Sequence, residues 1–85
     1  MAQPARQEHL VDLLRRKTSL SLSEAQVASL VMMGCPDKQI AKEMGVGFPT
    51  VRFHVSNAFR KLHVENRTQL AARIQGLCVD TVEVH

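Results

Sequence analysis

Pro36–Leu62, PDKQIAKEMGVGFPTVRFHVSNAFRKL, is the stretch whose reading decides the fold. Pro36 and Asp37 open a short helix, since proline is tolerated in a first turn and aspartate there meets the positive end of the helix dipole. Ile40, Ala41 and Met44 recur at helical spacing and face inward, and Gly45 breaks the helix. The turn Gly45-Val46-Gly47 leads into a longer helix that begins near Phe48-Pro49-Thr50 and runs to about Leu62. Small residues at the turn, with Val46 tucked between the two helices, are what a helix-turn-helix requires. At about 100° per residue, Val51, Val55, Ala58, Phe59 and Leu62 share one side of the longer helix and face a core. Arg52, Phe53, Ser56 and Arg60 project to the opposite side, and His54, Asn57 and Lys61 form a polar flank between them.

Working outward, Ser21 with Glu24 three residues on is a capping box for a preceding helix. Val27, Leu30 and Val31 give that helix an apolar stripe, and Gly34 supplies its stop. Residues 5–16 form a further N-terminal helix with Leu10, Val11, Leu13 and Leu14 on one side, a face that docks on the domain or on a partner. Downstream, Asn66 and Gln69 start a last helix whose apolar side is Leu70, Ala71, Ile74 and Leu77 and whose expected end is Gly76. The tail Cys78–His85 is expected as frayed helix or disorder. With no strand pairs and no repeats, the expected fold class is all-α.

The chain has 85 residues, room for one small core and no second domain. Its net charge of +3 is unevenly spread. Residues 1–43 sum to +1 and residues 65–85 to −1, whereas residues 44–64 carry Arg52, Arg60 and Lys61 and no acid. An acid-free run of this kind is a candidate polyanion face. Paired carboxylates, a nucleophile–base constellation and a Gly-rich phosphate loop are all missing from the sequence, so an enzyme is not expected. Cys35 and Cys78 lack metal-ligand spacing, and no metal, cofactor or small-molecule ligand is expected. No stretch reads as a membrane span or secretory signal, and the expected location is the cytoplasm.

From Leu20 to Leu70, about 60% of the chain, the sequence resembles the LuxR-type (GerE/NarL-like) helix-turn-helix domain of bacterial transcription regulators. The resemblance is carried by Leu20, Ser21, Glu24, Val27, Leu30, Gly34, Lys38, Ile40, Ala41 and Val46, continuing through Thr50, Val51, Arg52, His54, Asn57, Lys61, Leu62, Val64 and Asn66-Arg67-Thr68. It implies a four-helix domain over residues 20–77, with residues 1–19 as an additional N-terminal helix or linker and 78–85 as a tail. Ser23, Gln26, Pro36, Gly47 and Phe53 depart from the family pattern; two of them, Pro36 and Gly47, stand where serine often caps the helices of the motif.

A helix of this kind fits the DNA major groove, about 12 Å wide, with its outward side chains at base edges. Arg52 suits guanine O6 and N7, Phe53 a thymine methyl, and Ser56 either a donor or an acceptor; the resemblance implies that these three carry base contacts. Thr50 lies at the helix N-terminus, where a hydroxyl and free N–H groups hold a phosphate. Lys38, His54, Asn57, Lys61 and Arg67 are the further backbone-contact candidates, Lys38 and Lys61 by the resemblance. The resemblance also implies a homodimer through the last helix, with Leu70, Ile74 and Leu77 as contacts, and RNA polymerase is a further partner class. Two other classes fit the same motif. One is an antagonist that binds another regulator through an exposed Leu10–Leu14 stripe and Phe53. The other is a sigma-factor region-4-like module, against which Asn57, Lys61 and Asn66-Arg67-Thr68 speak.

Overall fold

The computed structural model describes residues 4–82, with side chains described over 8–77. Five helices follow one another: α1 (Pro4–Lys17), α2 (Leu22–Met32), α3 (Asp37–Met44), α4 (Phe48–Leu62) and α5 (Arg67–Val82). No strand occurs among the described residues. The all-α expectation is thus met, and the helix starts fall where the capping signals place them.

At the head of α2 the Glu24 N–H donates to Ser21 Oγ (3.2 Å) and the Ser21 N–H donates to Glu24 Oε1 (3.0 Å), a complete capping box. Gly34 and Gly45 end α2 and α3 with φ of 89° and 67°, left-handed values that cost a side chain about 1–2 kcal/mol and glycine almost nothing. Gly76 behaves differently. It keeps helical backbone, α5 runs past it to Val82, and the expected stop at Gly76 is therefore wrong. A glycine without positive φ weakens a helix by roughly 0.5–1 kcal/mol and does not break it. The expected tail is helical through Val82, and residues 83–85 lie outside the described residues.

One core joins all five helices. Leu14, Leu30, Ile40, Val51, Leu62, Leu70 and Ile74 are fully buried in it, with Val27, Ala28 and Ala58 filling the smaller gaps. The N-terminal helix belongs to this core: Leu13 and Leu14 are buried, and Leu10 and Val11 pack against it from the rim. The apolar stripe that an antagonist would present is accordingly covered within the chain. Leu70 and Ile74, expected as dimer contacts, are likewise consumed by the core, because the apolar side of α5 is the side that packs on α2 and α4. Leu77 is partly buried against the same cluster.

Candidate nucleic-acid interface

The outward side of α4 is set by what its inward side must do. Val51, Ala58 and Leu62 are buried, and Val55 and Phe59 pack against the cluster, which fixes the rotation of the helix about its axis. Arg52, Phe53, Ser56 and Arg60 consequently stand exposed on the far side. Fifteen residues make α4 about 22 Å long. Phe53 is 63% exposed, and its ring leans on the half-buried His54 ring at 5.7 Å between centroids and an interplanar angle of 58°. That tilted contact restricts Phe53 without hiding it. Asn57 is half-buried on the same flank as His54.

The two helix starts of the motif share an unusual feature. Pro36 at α3 and Gly47 at α4 are the N-cap residues, and neither helix has a side-chain cap. First-turn N–H groups of α4 are therefore left for water or an anion, beside the exposed Thr50 hydroxyl. Lys38, in the first turn of α3, is also exposed.

Two expected phosphate contacts turn out to have partners inside the protein. Lys61 Nζ donates to Glu24 Oε1 at 2.8 Å, joining the end of α4 to the start of α2, with the lysine side chain 33% exposed and the glutamate 9%. The hydrogen bond from Lys61, then that from the Ser21 N–H, holds the Glu24 carboxyl below its ordinary pKa, and burial opposes them. Arg67 donates through Nη1 to the Cys35 carbonyl (3.2 Å) and through Nη2 to Asp37 Oδ1 (3.4 Å), tying the head of α5 to the α2–α3 turn. Both are positioned to hold the scaffold, and the sequence pattern alone did not separate this role from phosphate contact.

Arg52 is 67% exposed and lies with Nη1 3.4 Å from Asp37 Oδ2. The run without acids is therefore not acid-free in space: Glu24 and Asp37 fold onto it from earlier in the chain. Of its three basic side chains, Arg60 alone has no ion pair among the described residues. Asp37, Arg52, Ser56, Asn66 and Arg67 rim a cleft of about 400 Å³ between α4 and the head of α5, with Val31, Val55 and Phe59 as its apolar lining. Among the described residues no cluster of His, Cys, Asp and Glu has the arrangement of a metal site, and no helix is long and apolar enough to cross a membrane.

Comparison with known proteins places this arrangement. A family model described as bacterial regulatory proteins, luxR family, matches residues 18–74. The two-component response regulator PprB of Pseudomonas aeruginosa is 46% identical over 52 residues, 61% of this chain and 19% of that protein. The transcriptional regulatory protein UhpA of Escherichia coli K12 is 39% identical over 59 residues, 69% of this chain and 30% of that protein. The HTH-type transcriptional regulator MalT of Vibrio parahaemolyticus is 33% identical over 64 residues, 75% of this chain and 7% of that protein. The chain thus spans less than a third of each of these relatives. No solved structure matches it. Since the family match takes in both helices of the motif and α2, which buries their inner faces, the chain belongs to the luxR family of bacterial regulatory proteins.

Proposed function

We propose that α4 enters the major groove of double-stranded DNA and reads its sequence, and that the chain regulates transcription in this way. The observation that carries the reading is the outward side of α4: Arg52, Phe53 and Ser56 exposed on a helix whose opposite side is locked in the core, next to an uncapped N-terminus. Arg52 donates to guanine O6 and N7, Phe53 covers a thymine methyl, and Ser56 accepts or donates one turn further along. Thr50 and the free N–H groups of α4 hold a phosphate, with Lys38, His54 and Asn57 placing further contacts along the backbone.

Binding as a homodimer on two half-sites about one helical turn apart is part of this reading. With Leu70 and Ile74 buried, contacts along α5 fall on its exposed side, where Ala72, Gln75 and Gly76 lie. Selection from a random duplex pool at about 150 mM salt tests the proposal, against a non-specific background Kd of about 10⁻⁴–10⁻⁶ M. Enrichment of one motif is expected, with Arg52→Ala relaxing a single base position. A folded protein that enriches no sequence refutes sequence reading by α4.

A further inference from the structure

We infer that Asp37 is a specificity-determining residue: it positions the Arg52 guanidinium for base reading and keeps Arg52 from binding phosphate indiscriminately. The inference rests on the DNA-reading role of α4 proposed above.

Asp37 is the first residue of α3, and its two carboxylate oxygens serve different arginines. Oδ2 faces Arg52 Nη1 and Oδ1 faces Arg67 Nη2, each at 3.4 Å. Arg67 is itself anchored by the Cys35 carbonyl at 3.2 Å. A chain of contacts therefore runs from the backbone of the α2–α3 turn through Arg67 and Asp37 to the tip of Arg52. The Asp37 side chain is 24% exposed, far more sheltered than the 67% exposed arginine it holds. An arginine this exposed samples many rotamers when unheld, and its guanidinium presents five N–H donors in a flat fork. With Nη1 turned toward Asp37, the Nη2 and Nε edge is the part left to face a base, and a bidentate contact to guanine needs one such edge.

The same carboxylate acts on wrong sequences. It places a negative charge within a Debye length of any phosphate that approaches the head of α4. On the correct site, bidentate hydrogen bonds to the base offset that repulsion; elsewhere nothing does. Discrimination by a repulsive element alongside an attractive one is a general route to specificity.

The test uses the full chain and three duplexes: the selected one, the same duplex with the Arg52-contacted base pair replaced, and an unrelated one, each titrated across a range of salt. Asp37→Asn is expected to tighten binding to the unrelated duplex by about threefold to tenfold and to steepen the salt slope by about 0.9, one added phosphate contact. Discrimination at the Arg52 base pair should fall by about tenfold, the scale of one well-formed base contact. Asp37→Glu, which restores the carboxylate, should recover most of that discrimination. Asp37→Ser supplies a second neutral variant with a short polar side chain suited to a helix start, and far-ultraviolet circular dichroism verifies folding of each variant. Wild-type discrimination and an unchanged salt slope in a folded Asp37→Asn or Asp37→Ser variant overturn the inference while leaving sequence reading by α4 intact. Failure of the wild-type chain to distinguish any of the duplexes removes both.

Discussion

Replacing Lys61 by methionine separates a scaffold role from a phosphate contact. Methionine keeps the unbranched stem and deletes the ammonium that donates to Glu24 Oε1 at 2.8 Å. At an effective dielectric of 20, unit charges 2.8 Å apart attract by about 6 kcal/mol, which is the ceiling for the pair. Dehydrating the glutamate, 9% exposed, offsets part of that, and water reaching the lysine, 33% exposed, screens more. Breaking a fully buried pair costs about 3–5 kcal/mol. Here Glu24 keeps the Ser21 N–H as one partner, so Lys61→Met is expected to cost about 2 kcal/mol. With a urea m-value near 1 kcal/mol/M for so small a domain, the unfolding midpoint should fall by about 2 M. The Glu24→Gln/Lys61→Met double variant should lose less than the two singles added together, giving a coupling of about 1–2 kcal/mol. Because the ammonium is already neutralised by Glu24, the slope of log K against log salt for DNA binding should stay at the wild-type value. A midpoint unchanged within about 0.3 M, together with a salt slope flatter by about 0.9, refutes the reasoning and returns Lys61 to the phosphate backbone.

Glu24 has a depressed folded pKa, so its contribution is complete above its unfolded value, about 4.3, and is lost as the pH falls through the folded value. Urea midpoints measured from pH 7 down to pH 3 should therefore fall in acid, and Glu24→Gln should flatten that dependence. His63, the one non-glycine residue with positive φ among those described (59°), closes α4 in the left-handed region. His63→Gly should stabilise the domain by about 1 kcal/mol in the same unfolding assay, and destabilisation would show that the imidazole contributes more than its backbone strain costs. Leu14 is fully buried although it belongs to the additional N-terminal helix. Leu14→Ala should cost about 2–4 kcal/mol if α1 is part of the cooperative unit, whereas a loss under 1 kcal/mol would mark α1 as an appendage.

Much of the architecture was legible in local patterns. Ser21 with Glu24, Gly34 and Gly45 mark helix ends through interactions within a few residues, and the rotation of α4 follows from five apolar positions. Gly76 misled because a glycine stops a helix only where the chain turns left-handed, and here its backbone stays helical. Leu70 and Ile74 carried the signal of an apolar face, which is the same for a subunit contact and a core. The pairings of Lys61 and Arg52 were illegible for a related reason. Glu24 lies 37 residues from Lys61 and Asp37 lies 15 from Arg52, so no window of charge along the chain brings them together. Asp37 did carry a visible sign, an acid at a helix start, but the dipole already accounted for it and gave no reason to look for a second role.

The sharing of one Glu24 oxygen between the Ser21 N–H and Lys61 has a kinetic consequence. The capping box spans three residues and can form on the timescale of helix–coil relaxation, about 0.1–1 μs, without waiting for a contact 37 residues away. Glu24 is then already held in its rotamer when α4 arrives, and Lys61 docks on a carboxylate that has little freedom left to lose. If the ion pair forms late, Lys61→Met has a φ-value near 0 in folding kinetics, and a φ-value near 1 would place the pair in the folding nucleus. With a φ-value near 0, loss of the pair is expected to speed unfolding and leave the folding rate nearly unchanged, so that Lys61 would set how long the native domain persists once formed.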